Sequence, residues 1–250
     1  FKNKLGIDLL IHLEKNSFNL KKKFTISRGS RNSADVLTVT IEDKGFVGLG
    51  ECVPYKRYGE SIESVSQDIL SIPLPINNKV LQNILKPGAA RNAVDCALWD
   101  LKAKKEGKPV WKILKLKKPQ PTITAYTISL GNPEKMKKEA TLKSNYPILK
   151  VKLGGKNDEK CIIAVREGSP NARIIVDANE GWTIESYNYL VPIFRKIGVE
   201  LIEQPFPASK DYLLKGLEKK IPICADESCH DLKSIKKLIG LYDYLNIKLD

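Results

Sequence analysis

Residues 173–205 read RIIVDANEGWTIESYNYLVPIFRKIGVELIEQP, and this stretch decides the fold. A short apolar run from Arg173 to Asn179 is followed by an amphipathic segment from Ile184 to Lys196, then by a second apolar run from Val199 to Pro205. Strands buried on both faces read as continuous apolar runs, and parallel neighbours need a crossover, usually a helix. The same texture recurs outward. Apolar runs stand at 123–129 (ITAYTIS), 147–153 (PILKVKL), 221–227 (IPICADE) and 244–250 (YLNIKLD). Helices are expected at Pro133 to Leu142, Asp158 to Glu167, Lys210 to Lys219 and Leu232 to Ile239. Strand and helix in alternation predict an α/β fold of βαβ units on a parallel sheet.

Upstream the pattern differs. Asp35 to Glu42 (DVLTVTIE) alternates, Asp43-Lys44-Gly45 signals a turn, and Phe46 to Cys52 continues as a second strand, which predicts a hairpin. Ser61 caps a helix to Leu70, and Ala89 to Lys105 carries an apolar stripe at helical spacing, closed by Gly107 and Pro109. The expected organisation is an α+β capping domain over residues 1–118 and a (β/α) TIM-type barrel domain over 119–250.

Charge marks the ends of the barrel runs. Lys150 and Lys152 close the second run, Asp177 the third, Glu203 the fourth, Asp226 the fifth and Lys248 the sixth. Successive members stand about one βα unit apart. A charge at the end of an apolar strand is unfavourable without a partner or a ligand. Wound into a barrel, the strands bring these groups to the C-terminal mouth, where barrel active sites sit. Lys150 and Lys152 are two apart and share one side of a strand. Three hard carboxylates without Cys or His suit Mg²⁺. Lysines facing such a site serve as proton-transfer bases, and neighbouring positive charge lowers their pKa. A strand-end salt bridge explains any one of these residues; it does not explain the ordered set.

Composition narrows the rest. With 250 residues, 42% of them hydrophobic and 28% charged, the chain can bury a sizeable core. It contains no apolar run long enough to span a membrane. It opens on Phe1, so the true start is expected upstream, and no secretory signal is legible. The net charge is +13, but only seven of the 42 basic residues are Arg. Lys scattered in pairs reads as a solvated surface, since phosphate and base readout favour the Arg fork, so no specific nucleic-acid partner is expected. Five widely spaced cysteines argue against a disulfide framework and for a reducing cytoplasm. Cys224, Cys229 and His230 lack a second pair at zinc spacing, and Gly48 and Gly50 lack nucleotide-loop spacing.

The motifs K-x-K (150–152), D-A-N (177–179), E-Q-P (203–205), A-D-E-S (225–228) and N-I-K-L (246–249) resemble the enolase superfamily, and within it the muconate-lactonising subgroup. The segments ISRGSR (26–31), GECVPYKRYGES (50–61), GAARNAVDCALWDL (88–101), PICADESCH (222–230) and NIKLD (246–250) are similar to bacterial dipeptide epimerases acting on L-Ala-D/L-Glu. The resemblance implies an isomerase with Asp177, Glu203 and Asp226 as Mg²⁺ ligands and Asn179 and Glu227 beside them. It implies Lys152 and Lys248 as acid/base groups on opposite faces of the substrate α-carbon, and Lys150 as a carboxylate binder that depresses the pKa of Lys152. Arg28 and Thr127 would contact a small dipeptide, under a loop carrying Arg57 and Tyr58. A homo-oligomer is compatible with this reading. A barrel of the family has eight strands, so the expected barrel is truncated after the sixth, and the family's Asp-x-Asp motif lies outside the sequence. The same chemistry also serves o-succinylbenzoate synthesis, N-acylamino-acid racemisation and cycloisomerisation. A non-catalytic polyanion-binding role is the reading from a different class.

Overall fold

The computed structural model describes residues 9–248. The described residues divide into two compact units, 9–20, 33–121 and 248 in the first and 21–32 and 122–247 in the second.

A three-stranded sheet in the order β1 (Leu10–Ile26), β2 (Gly29–Asp43), β3 (Phe46–Cys52) begins the chain. β2 and β3 run antiparallel from Asp43↔Phe46 to Leu37↔Cys52. Their link is Lys44-Gly45, with φ of 52° and 79°. Two successive positive φ values match the twist of the flanking strands, which is why a glycine stands there. Four helices follow: α1 (Ile62–Leu70), α2 (Asn78–Ile84), α3 (Ala89–Glu106) and α4 (Val110–Ile113). The hydroxyl of Ser61 accepts the N–H of Ser64, and the hydroxyl of Ser64 accepts the N–H of Ser61, so α1 starts on a reciprocal cap. The unit's core combines Val39 and Ile41 of β2, Leu81 of α2, and Ala93, Val94 and Ala97 of α3. A Cβ at Gly48 or Gly50 would collide with the carbonyl oxygens of Ala97 and Ala93, so these glycines let α3 lie directly on β3. Their role is close packing.

The second unit is a six-stranded parallel sheet in strict sequential order: β4 (Ala125–Ile128), β5 (Ile148–Lys152), β6 (Arg173–Asp177), β7 (Val199–Glu203), β8 (Ile223–Ala225) and β9 (Tyr244–Leu245). Helices α5 (Pro133–Leu142), α6 (Asp158–Gly168), α7 (Ile184–Ile197) and α8 (Leu232–Leu238) connect them. The order is that of a (β/α) barrel across six of its strands. Leu149 and Val151 of β5, Ile174 and Val176 of β6 and Ile202 of β7 pack with Met136 of α5, Ile162 and Val165 of α6 and Phe194 of α7. Lys150 and Lys152 alternate with Leu149 and Val151 and therefore take the opposite side of β5.

The structure corrects several expectations. The crossover between β7 and β8 holds no α-helix at Lys210 to Lys219. A 3-10 segment covers Ala208–Leu214, Lys215 turns extended, and Gly216 adopts φ 74°. β8 ends at Ala225, so Asp226 lies in the first loop position. β9 is two residues long, so Lys248 follows it across a short connection instead of closing it. No helix among the described residues is long and apolar enough to cross a membrane.

Candidate active site

Strand register aligns the charged groups. In the parallel ladder Lys152 pairs with Asp177, Asp177 with Glu203, and Glu203 with Cys224, giving one row across β5 to β8. Thr127 pairs with Lys150 one step away. Ion pairs close the row. Lys152 Nζ donates to Asp177 Oδ2 at 2.6 Å. Lys150 Nζ lies 3.0 Å from Asp177 Oδ2, 2.6 Å from Glu203 Oε2 and 2.8 Å from Glu203 Oε1. The amide of Asn246, just past β9, donates to Glu203 Oε1 at 2.7 Å.

The electrostatics follow from burial and these contacts. Burial alone would raise the Asp177 carboxyl, but the Lys150 and Lys152 ammonium groups overcome it and hold the group below the usual carboxylate range. Glu203 goes the other way. Burial, then the negative charge of Asp177, push it up to about 7 against the pull of Lys150, and Asp226 adds to the push. Lys150 is held above the ordinary lysine value, because Asp177 and Glu203 outweigh the effect of its burial.

The loops after the strands are tied down by side chains. After β6, Asn179 and Glu180 adopt φ of 44° and 67°, and the N–H of Asn179 donates to Asp177 Oδ1 at 2.9 Å. Side chains other than Gly tolerate this region poorly, so the bonds hold a strained turn in place. The Asn179 amide donates to Glu227 Oε1 at 3.1 Å. Glu227 Oε2 and Asn179 Oδ1 are buried and find no hydrogen-bond partner among the described residues. Arg28 Nη1 reaches Glu227 Oε1 at 2.8 Å, Glu180 Oε2 at 3.0 Å and the carbonyl of Asn179 at 2.9 Å. The resemblance assigned Arg28 to the substrate; the structure anchors one of its arms on two buried carboxylates. The buried Asp158 carboxylate accepts N–H groups of Gly154, Gly155 and the Trp182 indole at 2.7–2.9 Å, joining the loop after β5 to the loop after β6. After β7, Gln204 is fully buried at φ 35° and bonds to the loop carrying Asp226.

Sequence reasoning assigned nothing to Gln204 or Asn246. The motifs E-Q-P and N-I-K-L contained both, but nothing in their spacing tells which way an uncharged amide points. Arg57 and Tyr58 fall in a 3-10 turn of the first unit, the guanidinium 6.0 Å from the Tyr58 ring centre. Lys248 is exposed and belongs to the first unit.

Among the described residues, no three Asp, Glu, His or Cys side chains stand close enough together to chelate an ion as placed. The Lys150 ammonium lies between Asp177 and Glu203 instead. The donor set nevertheless fits a divalent cation. It consists of buried oxygen donors, and the ammonium shows that the gap between two of them accepts positive charge.

The mandelate racemase/muconate lactonizing enzyme N-terminal domain matches residues 11–114, and the enolase C-terminal domain-like model matches residues 135–250. A parallel barrel bearing acids and lysines at its strand ends, preceded by this domain, defines the enolase-type class. The chain belongs to the mandelate racemase/muconate lactonizing enzyme family. It is 42% identical over 238 residues to an L-Ala-D/L-Glu epimerase of Escherichia coli (strain K12), covering 92% of this chain and 74% of the relative. It is 39% identical to an N-acetyl-D-glutamate racemase of a Pseudoalteromonas species, covering 86% of this chain and 70% of the relative. A crystal structure of an enolase family member from Agrobacterium tumefaciens with homology to dipeptide epimerases, holding sodium and L-Ala-L-Glu, superposes with TM-score 0.93 at 46% identity, covering 97% of this chain and 76% of that one.

Proposed function

We propose that the chain is a dipeptide epimerase, an isomerase that inverts the α-carbon of the C-terminal residue of an L-Ala-D/L-Glu-type substrate by 1,1-proton transfer. The observation that carries this reading is the row of Lys150, Lys152, Asp177 and Glu203 on adjacent strands, linked at 2.6–3.0 Å. Lys152 is the acid/base group on one face of the α-carbon and Lys248 the group on the other. Asp177, Glu203 and Asp226 would hold Mg²⁺, which when bound neutralises charge building on the substrate carboxylate. Lys150 adds a fixed positive charge to the same carboxylate, and it is suited to that because it stays protonated between two acids. Thr127, beside Lys150 in the strand register, contacts the substrate backbone. Arg28 receives the acidic end, with Glu180 and Glu227 holding its guanidinium. By the resemblance, Arg57 and Tyr58 would belong to a loop that keeps out water, which could otherwise protonate the intermediate from the wrong face.

The test is α-proton exchange of L-Ala-L-Glu in D₂O, followed by NMR. Wild type exchanges and epimerises, and Lys152→Ala loses about 10²–10⁴ in rate, the range of a positioned general base, with its circular dichroism unchanged. Absence of exchange with every dipeptide offered would sink the assignment. A second reading keeps the proton transfer and changes the substrate to an N-acylamino acid, favoured by the 39% identical N-acetyl-D-glutamate racemase. Faster exchange in N-acetylglutamate than in the dipeptide would decide for it.

A further inference from the structure

Gln204 follows Glu203 directly, and its side chain is fully buried. Its amide has five polar neighbours at hydrogen-bond distance, and they divide by function. Oε1 accepts the N–H of Asp226 at 2.9 Å and the N–H of Ser228 at 3.1 Å. Nε2 stands near three acceptors: the Phe206 carbonyl at 3.0 Å, Ser228 Oγ at 2.8 Å and the Tyr242 hydroxyl at 2.9 Å. Behind these, Asp211 Oδ1 accepts from Ser228 Oγ at 2.8 Å and from Tyr242 at 2.6 Å. An amide can satisfy both sides of this network because one end accepts and the other donates.

The backbone adds a second constraint. Gln204 holds φ 35°, in the left-handed region, and its N–H donates to the carbonyl of Cys224 at 2.9 Å. Main chain and side chain of one residue therefore grip the segment 224–228 from both ends. One peptide bond joins that residue to Glu203. A shift of Asp226 relative to Glu203 has to break buried hydrogen bonds, each expensive to leave unmade.

We infer that Gln204 is the positioning residue that sets Asp226 against Glu203, so that the two acids on neighbouring strands act on one cation. This rests on the metal reading proposed above and goes beyond it. Gln204 is not one of the proposed metal ligands. It acts through the backbone N–H of Asp226.

The measurement is direct Mn²⁺ binding by the full chain, titrated by electron paramagnetic resonance, alongside thermal melting. Gln204→Met keeps the length and removes every side-chain hydrogen bond of the residue. It should weaken Mn²⁺ binding 10–100-fold, the usual loss when an outer partner of a metal ligand is removed. Tyr242→Phe removes one partner of Nε2 and leaves the bond to Asp226, so it should lower the melting temperature while Mn²⁺ affinity stays within about threefold. Gln204→Glu keeps an acceptor for both N–H groups and should also stay within about threefold, so it carries the test if Gln204→Met does not fold. Unchanged affinity in Gln204→Met overturns the inference, as does a tenfold loss in folded Gln204→Glu. Equal weakening in Gln204→Met and Tyr242→Phe, tracking their melting temperatures, reduces Gln204 to a structural residue and overturns it too. Wild-type binding that Asp226→Asn leaves untouched overturns the metal reading itself, a result separable from the others.

Discussion

Lys150→Met keeps the reach of the side chain and deletes its charge. Lys150 Nζ stands 2.6 Å from Glu203 Oε2 and 3.0 Å from Asp177 Oδ2. Without it Asp177 retains Lys152 at 2.6 Å and the N–H of Asn179 at 2.9 Å, whereas Glu203 retains the neutral amide of Asn246 at 2.7 Å. The loss therefore falls on Glu203, whose side chain is 4% exposed. Breaking a buried ion pair by removing one partner costs about 3–5 kcal/mol. At roughly 2–4 °C per kcal/mol for a chain of this size, Tm falls by about 6–20 °C. The pH dependence has a definite sign. Glu203 already titrates above the usual carboxylate range at about 7, and loss of Lys150 raises it further. A carboxyl with a raised folded-state pKa binds more protons folded than unfolded, so the variant loses stability as pH rises. Melting in metal-free buffer should show a larger deficit near pH 8 than near pH 6, where Glu203 holds a proton in both proteins. Added Mg²⁺ should raise Tm more in the variant than in wild type, because binding to the folded state stabilises it by mass action and no ammonium competes for the acids. A deficit below about 2 °C at pH 8, or equal deficits at the two pH values, would refute the reasoning.

Two further outcomes follow from the same structure. Glu203→Gln removes the group whose folded-state pKa is raised to about 7, so in metal-free buffer the decline in wild-type Tm between about pH 5 and pH 8 should flatten in the variant, as read by scanning calorimetry. Gly50→Ala places a Cβ against the carbonyl of Ala93 in α3, where the helix lies on β3. Overpacking of this kind costs about 1–3 kcal/mol, so Tm should fall by roughly 2–12 °C, and a variant that melts with wild type would show that α3 can move aside.

The barrel was legible because β5 to β8 bury most of their residues, and short apolar runs alternating with amphipathic segments read as strands joined by helices. Pro133–Leu142 matches its expected bounds, since Asn132 accepts the N–H of Lys135 and Pro133 sits in the first turn. β1 was not legible. Leu10–Ile26 alternates between half-buried and exposed residues and carries Lys21 to Lys23, so it lacks the apolar run on which strand reading depends. The helix expected from Lys210 failed from its first residue: Lys210 holds a non-helical φ of −117°, the stretch to Leu214 is 3-10, Lys215 is extended and Gly216 turns left-handed. In the site, spacing brought out the acids and lysines, because charges at strand ends stand out against Ile and Val. It could not show that Lys150 lies between two acids, that Arg28 anchors on Glu180 and Glu227, or that Gln204 reaches the next loop. Those facts depend on side-chain direction after the strand ends, where positive φ values at Asn179, Glu180 and Gln204 break the alternation.

The sequential parallel order described above has a consequence for how such a molecule can change. Each strand delivers one or two polar groups at its tip, and each rests on its own apolar stem. A replacement at one tip leaves the neighbouring stems intact. The scaffold is thus separable from its chemistry, strand by strand, and a new substrate can be met by altering a few rim positions while the interior that folds the chain stays as it was.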